Sequence, residues 1–251
     1  MTDFQNEDKP ESVKPRSRGI YLLPNLFTTG ALFSGFYAVV ASMNGHFENA
    51  AVAIFVAMVL DGLDGRVARM TNTSSAFGAE YDSLADMVSF GVAPSLVVFN
   101  WVLDDIGKLG WFAAFVYVAG AALRLARFNT QIGSTDKRYF IGLPSPAAAA
   151  AVAGLVWAAT EYDIDGGPYV YLIAAYVAIV GVLMVSNVLY YSFKDVNLKE
   201  KVPFLILAGI VLAVGVISIS PAIFLWILFL AYAISGPLLW AWRKSKHKSS
   251  M

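Results

Sequence analysis

Long apolar runs dominate the chain and alternate with short polar segments that hold most of the charged residues. A helix needs about 20 apolar residues to cross the roughly 30 Å hydrocarbon layer of a bilayer. By this criterion the pattern predicts about eight transmembrane helices and therefore an all-α fold, a polytopic membrane helical bundle. The predicted spans are residues 21–43, 47–69, 79–103, 109–128, 144–160, 168–187, 203–219 and 221–242.

Charged residues in the predicted loops separate by sign. With the N-terminus in the cytosol, the inner segments collect basic residues such as Arg66, Arg69, Lys194 and Lys199, and the outer loops hold Lys108 alone. Because cytoplasmic loops retain Lys and Arg, this segregation predicts that both termini are cytosolic. One span more or fewer would mix the two sets.

The same pattern divides the chain into three parts. We expect a cytosolic polar tail over residues 1–19, a transmembrane domain over residues 20–243 and a basic cytosolic tail over residues 244–251. The first segment lacks the apolar run and cleavage site of a signal peptide. The chain is short and shows no organelle-targeting segment, so the expected location is a bacterial inner membrane.

The amino-acid composition excludes several classes of protein and several kinds of site. The chain is 58% hydrophobic and only 14% charged, which is too apolar for a soluble domain of 251 residues. Its formal net charge is zero, so charge gives no argument for a nucleic-acid partner. The absence of cysteine excludes disulfides, zinc-thiolate sites and a cysteine nucleophile.

Four aspartates carry the main chemical signal. Asp61 and Asp64 end one predicted span, and Asp82 and Asp86 begin the next. Residues three or four apart share a helix face, so each pair forms a stripe on its own helix. Residues 70–77 are rich in Thr, Asn and Ser and are typical of a turn. The two helices are therefore expected to present four carboxylates to each other at the cytosolic face.

Four carboxylates of one sign inside a membrane protein require cations, because each buried charge is costly. A ligand set made only of carboxylates favours Mg²⁺ or Mn²⁺ over zinc. Gly65, Ala68 and Gly78 remove side-chain bulk on the same faces, which leaves room for a ligand against the backbone. Arg69 can neutralise phosphate oxygens at the edge of that space.

Together these residues form the pattern D-x-x-D-G-x-x-A-R-x8-G-x3-D-x3-D. Its positions are filled by Asp61, Asp64, Gly65, Ala68, Arg69, Gly78, Asp82 and Asp86. The pattern resembles the signature of the CDP-alcohol phosphatidyltransferase family. The resemblance implies an enzyme that binds the diphosphate of CDP-diacylglycerol through two divalent ions. An acceptor hydroxyl would attack the lipid-side phosphorus, and CMP would leave.

The resemblance also implies a role for each position. Asp61, Asp64 and Asp82 would be metal ligands, and Asp86 would contact the second ion and act as the catalytic general base. The residues expected at the CDP-lipid are Asn25, Thr28, Gly65, Ala68, Arg69 and Gly78. A homodimer surrounded by membrane lipids is the assembly that the family likeness implies.

Within the family, the flanking sequence resembles the branch that uses L-serine more than the branches that use glycerol phosphate or inositol phosphate. This likeness spans most of the first 150 residues and rests on residues 23–30, 82–86, 89–94, 124–129, 136–140 and 142–144. We expect Arg127 and Asn129 to contact the acceptor, and Arg124 or the pair Lys137 and Arg138 to contact phosphate or a lipid headgroup. Basic residues at helix ends also serve as cytosolic anchors and suit phosphorylated acceptors, so charge alone does not select serine.

Two other classes of function compete with this hypothesis. A cation-coupled transporter also uses aspartates inside the membrane. Transporters, however, often have internal repeats and bind near the midplane, whereas this sequence shows no evident repeat and places its aspartates near one pair of helix ends. A non-catalytic membrane scaffold would leave the four carboxylates unexplained.

Overall fold

The computed structural model describes residues 22–73, 75–130, 139–192, 209, 215 and 218–248. The helices are α1 (Leu22–Met43), α2 (Phe47–Thr71), α3 (Ala76–Asp86), α4 (Ala93–Trp101), α5 (Lys108–Thr130), α6 (Ser145–Glu161), α7 (Val170–Val185) and α8 (Pro221–Lys248). The strands are β1 (Tyr139–Ile141) and β2 (Leu189–Tyr191), and short 3₁₀ turns cover Leu103–Ile106 and Gly167–Tyr169.

Five helical segments in the described part of the chain are long and apolar enough to cross a membrane. They are Leu23–Met43, Ala76–Trp101, Lys108–Thr130, Gly167–Val185 and Pro221–Lys246. The prediction of an all-α membrane bundle is confirmed at this level. Predicted spans 47–69 and 144–160 coincide with α2 and α6, which are not among these five segments. α2 carries several charged residues, and α6 is short, with 17 residues.

Several sequence-based predictions fall outside the described residues. These are the tail 1–19, Lys137 and Arg138, Lys194 and Lys199, residues 249–251, and the span 203–219 apart from residues 209, 215, 218 and 219. The number of spans and the sides on which the termini lie therefore stay predictions.

Small residues allow the helices to approach closely. Residues 147–153 of α6, six alanines and Val152, are all buried where α6 packs between α2, α4 and α8. A side chain at Gly120 of α5 would collide with the carbonyl oxygen of Gly181 on α7. Close backbone packing of this kind is a common source of stability between membrane helices.

The segment that carries Asp82 and Asp86 runs through α3, a π-helical stretch (Met87–Val92) and α4. The backbone N–H of Ala93 bonds the carbonyl of Val88, five residues earlier. Pro94 follows directly and has no N–H to donate to the carbonyl of Phe90, four residues earlier. The predicted uniform helix over residues 79–103 is therefore an interrupted one, and it ends at Trp101.

β1 and β2 form a two-stranded antiparallel sheet in which Phe140 faces Tyr190. The strands join the chain before α6 to the chain after α7. Gly142, which follows β1, has φ of 77°. The guanidinium of Arg243, near the end of α8, lies 5.5 Å from the ring centre of Tyr139. We call this end of the bundle, with the sheet and the C-terminal ends of α5 and α7, the sheet end.

Candidate active site

Three of the four predicted aspartates converge between α2 and α3. Asp61, Asp64 and Asp82 each place a carboxylate oxygen within 4.8 Å of the other two. Asp86 lies one turn after Asp82, within hydrogen-bonding reach of Asp61. The prediction that the two helices present their carboxylates to each other is confirmed.

A tight turn between α2 and α3 brings these faces together. α2 ends at Asn72, whose φ of 53° places it in the left-handed region, and Thr73 N–H closes the end on the carbonyl of Ala68. Asn is among the few residues that adopt this conformation readily. α3 then begins with Ser75, whose Oγ accepts a 3.0 Å hydrogen bond from Gly78 N–H. Ser is a favoured N-cap residue. The predicted turn is present but shorter than residues 70–77, because α2 extends to Thr71 and α3 begins at Ala76.

Asp64 is held from α1. Its Oδ2 accepts a 2.7 Å hydrogen bond from the hydroxyl of Thr28, and both residues are buried. Thr28 also lies 3.1 Å from the carbonyl oxygen of Pro24, one turn earlier. Thr28 is one of the residues predicted beside the nucleotide, and its hydroxyl also contacts Asp64. It therefore fixes the orientation of a predicted metal ligand.

The carboxylate of Asp82 indicates whether a cation fits between the aspartates. Its Oδ1 is buried and accepts no hydrogen bond from any described residue. A buried carboxylate oxygen without a donor is costly unless a cation satisfies it. Three carboxylates within 4.8 Å also repel one another unless positive charge lies between them. The oxygen-only ligand set therefore fits a hard divalent ion such as Mg²⁺ or Mn²⁺.

A cavity of about 260 Å³ opens beside the aspartates. It is lined by Pro24, Asn25, Thr28, Asp64, Gly65, Ala68, Arg69, Thr73, Ser75, Gly78, Ala79 and Asp82. All six residues predicted at the CDP-lipid are among them. Four further wall residues could not be identified from the signature: Pro24, Thr73, Ser75 and Ala79. Thr73 and Ser75 belong to the polar turn, whose composition was the signal that could have identified them.

Glycines keep this cavity open. A Cβ at Gly65 would lie 3.4 Å from Nη1 of Arg69, and a Cβ at Gly78 would lie 3.6 Å from Oδ1 of Asn25. Larger side chains at either position would project into the space between α1, α2 and α3. By contrast, Gly62 on α2 has no neighbouring atom within 4 Å of its Cβ position. Gly65 and Gly78 therefore border the cavity, whereas Gly62, the other glycine of α2, faces open space.

The predicted acceptor residues lie on α5 at the sheet end, and Arg124, Arg127 and Asn129 are not among the residues that line the 260 Å³ cavity. Nη1 of Arg124 donates to the carbonyls of Ile141 and Gly142, each at 3.1 Å. Nη2 of Arg127 donates at 2.8 Å to the carbonyl of Val185, at the end of α7. These arginines therefore join the sheet and α7 to α5.

Asn129 connects α5 to the metal-site helix. Its Nδ2 lies 3.0 Å from Oγ of Ser83, the residue that follows Asp82. This contact places Asn129 near the aspartates although it is 47 residues away from Asp82 in the sequence. Lys137 and Arg138, the other predicted acceptor or phosphate contacts, lie outside the described residues.

The described helices form an apolar bundle that holds a carboxylate cluster and a glycine-lined cavity at one end. The model of the CDP-alcohol phosphatidyltransferase family matches residues 21–187, and the chain belongs to this family. Membership in a transferase family decides between the enzyme and the transporter hypotheses in favour of the enzyme.

Curated relatives extend the comparison over most of the chain, and each is named CDP-diacylglycerol--serine O-phosphatidyltransferase. The protein of Helicobacter pylori (strain ATCC 700392 / 26695) is 38% identical over 221 residues, which cover 88% of this chain and 92% of that protein. The Mycobacterium bovis protein is 31% identical over 232 residues, covering 89% and 81%. The Methanocaldococcus jannaschii protein is 35% identical over 183 residues, covering 73% and 80%.

Proposed function

We propose that this protein transfers the phosphatidyl group of CDP-diacylglycerol to the hydroxyl of L-serine and releases CMP, forming phosphatidylserine. The observation that carries the proposal is the cavity that Asp64 and Asp82 line together with Gly65, Gly78 and Arg69. It combines carboxylates for a metal-bound diphosphate, a cation for phosphate oxygens and open backbone for a nucleotide. The choice of serine as the acceptor rests on the names of the relatives.

Asp61, Asp64 and Asp82 hold divalent metal, Mg²⁺ or Mn²⁺, in a two-ion site to which Asp86 also contributes. When bound, such ions neutralise the diphosphate and stabilise charge on the transferring phosphoryl group. Thr28 keeps Asp64 oriented toward the site through its 2.7 Å hydrogen bond. The unpartnered Oδ1 of Asp82 supports the assignment.

The cytidine diphosphate lies in the 260 Å³ cavity. Gly65, Ala68 and Gly78 admit it against the backbones of α2 and α3, and Asn25 offers a side-chain amide at the α1 wall. Arg69 binds phosphate oxygens at the rim, since a guanidinium forms charge-assisted hydrogen bonds with them.

Asp86 is the general base of the proposed reaction. It takes the proton of the serine hydroxyl while that oxygen forms a bond to the lipid-side phosphorus. The bond from this phosphorus to the bridging oxygen breaks, and CMP leaves with the bonding electrons. The position of Asp86 one turn beyond Asp82 supports this role, because its carboxylate lies next to the proposed metal ligands.

The acceptor binds between the aspartates and the C-terminal end of α5. Arg127 and Asn129 contact serine, and Arg124 or the pair Lys137 and Arg138 contact phosphate or headgroup. The link between Asn129 and Ser83 supports this location, because it brings α5 next to Asp82.

The proposed active site faces the cytosol of a bacterium whose inner membrane holds the protein. The sheet end carries Arg124, Arg127 and Arg243, and basic residues favour the cytoplasmic side. With eight spans, both the tail 1–19 and the tail 244–251 lie on that side, and residues 20–243 form the catalytic domain. The homodimer implied by the family likeness is part of the proposal.

An acceptor competition tests the proposed function. Purified protein receives CDP-diacylglycerol, Mn²⁺ and equal concentrations of L-serine, glycerol phosphate and inositol phosphate, and the lipid product is identified by mass spectrometry. We expect phosphatidylserine. A phosphatidylglycerol phosphate or phosphatidylinositol phosphate product would retain the chemistry and refute serine as the acceptor.

A further inference from the structure

The backbone carbonyl of Phe90 lies where the helix between Asp86 and Trp101 is interrupted. It lies in the π-helical stretch that directly follows Asp86, and Pro94 leaves it without the N–H partner that an α-helix would provide. Phe90 is fully buried in the bundle. A backbone carbonyl that loses an α-helical donor inside a membrane is stabilised by another donor.

Tyr117 supplies this donor from α5. Its hydroxyl donates a 3.0 Å hydrogen bond to the carbonyl oxygen of Phe90, and the tyrosine is itself fully buried. The bond replaces the one that Pro94 cannot make. Tyr117 therefore stabilises the π-helical stretch directly rather than by filling space alone.

The opposite side of the stretch is held by α1. Oγ of Ser89 donates a 3.0 Å hydrogen bond to the carbonyl of Ala31. Gly35 makes room for this contact, because its Cβ position lies only 2.6 Å from Oγ of Ser89. The π-helical stretch is thus clamped between α1 and α5.

α4, beyond the stretch, has its own anchors. Oγ of Ser95 donates to the carbonyl of Ala114 at 2.9 Å, and Nδ2 of Asn100 donates to Oγ of Ser42 at 2.9 Å. Because α4 is held in place, the helix type of the stretch between α3 and α4, π or α, determines how α3 is rotated about its own axis. One residue of helix corresponds to a rotation of about 100°. Relaxation of the π stretch to an α-helix would therefore turn Asp82 and Asp86 away from α2.

We infer that Tyr117 is a positioning residue for the aspartate site: by holding the carbonyl of Phe90 it keeps the π-helical stretch and so directs Asp82 and Asp86 toward Asp61 and Asp64. π-Helical turns often occur at functional sites, where they reorient side chains. The inference rests on the proposed function because it concerns the same site.

Direct Mn²⁺ binding, measured by electron paramagnetic resonance without substrate, provides the test. Tyr117→Phe removes only the hydroxyl, and we expect about tenfold weaker Mn²⁺ binding, the effect of one lost hydrogen bond on the site. Tyr176→Phe is the control, because its partly buried hydroxyl also donates to a backbone carbonyl, that of Ala151, at 2.9 Å. We expect Tyr176→Phe to change Mn²⁺ binding less than twofold, even where it lowers thermal stability equally.

A second arm separates the hydrogen bond from packing. Pro94→Ala restores an N–H that can satisfy Phe90, so Tyr117→Phe in this background should weaken Mn²⁺ binding less than twofold further. Equal effects of Tyr117→Phe in both backgrounds would overturn the inference, as would equal effects of the two tyrosine variants. If Tyr117→Phe does not fold, Ser89→Ala replaces it in the comparison with Tyr176→Phe, with the same expected loss of binding.

Failure of this inference and failure of the proposed function give different results. A wild-type protein that binds Mn²⁺ but releases no CMP from CDP-diacylglycerol in the presence of serine would refute the proposed function. Unchanged Mn²⁺ binding in Tyr117→Phe, with CMP release intact in the wild type, would refute only the positioning role of Tyr117.

Discussion

The hydroxyl of Thr28 lies 2.7 Å from Oδ2 of Asp64 and joins α1 to the helix that carries two of the clustered aspartates. Groups that hydrogen-bond a metal ligand orient it and tune its affinity. Through this bond, α1 contributes to the metal site although it carries none of the four aspartates. The same helix also forms one wall of the cavity through Pro24 and Asn25.

Thr28→Val keeps the shape of the side chain and removes the hydroxyl. We expect about 10-fold to 100-fold lower activity at fixed Mn²⁺, because loss of an outer hydrogen bond to a metal ligand has effects of this size. Thr28→Ser keeps the hydroxyl and serves as the control. Titration of CMP release with Mn²⁺ measures the effect, and equal metal dependence of the two variants would contradict the orienting role.

Gly65→Leu fills the cavity next to Arg69. We expect the KM for CDP-diacylglycerol to rise at least about tenfold, since the side chain occupies space assigned to the nucleotide. Gly62→Leu is the matched control on the same helix, where no atom lies within 4 Å of the Cβ position. Steady-state kinetics compare the two, and a similar KM for both variants would place the nucleotide elsewhere.

Gly142→Ala tests the junction between the sheet and α7. Gly142 and Gly45 share a φ of 77°, which is unfavourable for alanine, but only at Gly142 would the Cβ also collide with the backbone oxygen of Met184. We expect Gly45→Ala to cost about 1–2 kcal/mol, as left-handed alanine does. Gly142→Ala should lower the melting temperature in detergent clearly more. Equal melting temperatures of the Gly45→Ala and Gly142→Ala variants would show that α7 shifts to accommodate the new methyl group.

Asn129→Ala addresses the acceptor site. We expect the KM for serine to rise about tenfold, the effect of removing one good hydrogen bond to a charged ligand. Ser83→Ala removes the hydroxyl that Asn129 contacts and should change this KM less than threefold. If both variants raise the KM equally, Asn129 acts by holding α3 rather than by binding serine.

The face-sharing aspartates, the turn between them and most of the cavity wall could be predicted from the sequence, because helical spacing and turn composition are local properties. Asp61, Asp64 and Asp82 meet as their spacing indicated. The roles of the individual residues in catalysis stay predictions.

Long-range contacts could not be predicted in this way. The sequence predicts that Arg124, or the pair Lys137 and Arg138, contacts phosphate or a lipid headgroup, and this stays a prediction. The bonds from the Arg124 guanidinium to the carbonyls of Ile141 and Gly142 could not be predicted, because no local pattern indicates that β1 lies beside α5. The π-helical stretch has a local signal in Pro94, but its stabilisation by Tyr117 depends on tertiary packing.

The central claim is that the clustered aspartates hold divalent metal and support transfer from CDP-diacylglycerol to serine. The most direct measurement follows CMP and isotope-labelled phosphatidylserine together in purified protein, with Mn²⁺, with EDTA and in Asp82→Asn. We expect equal amounts of both products with Mn²⁺, none with EDTA until excess Mn²⁺ is added back, and at least about a thousandfold loss in Asp82→Asn. Undiminished product formation in EDTA or in Asp82→Asn would contradict the claim.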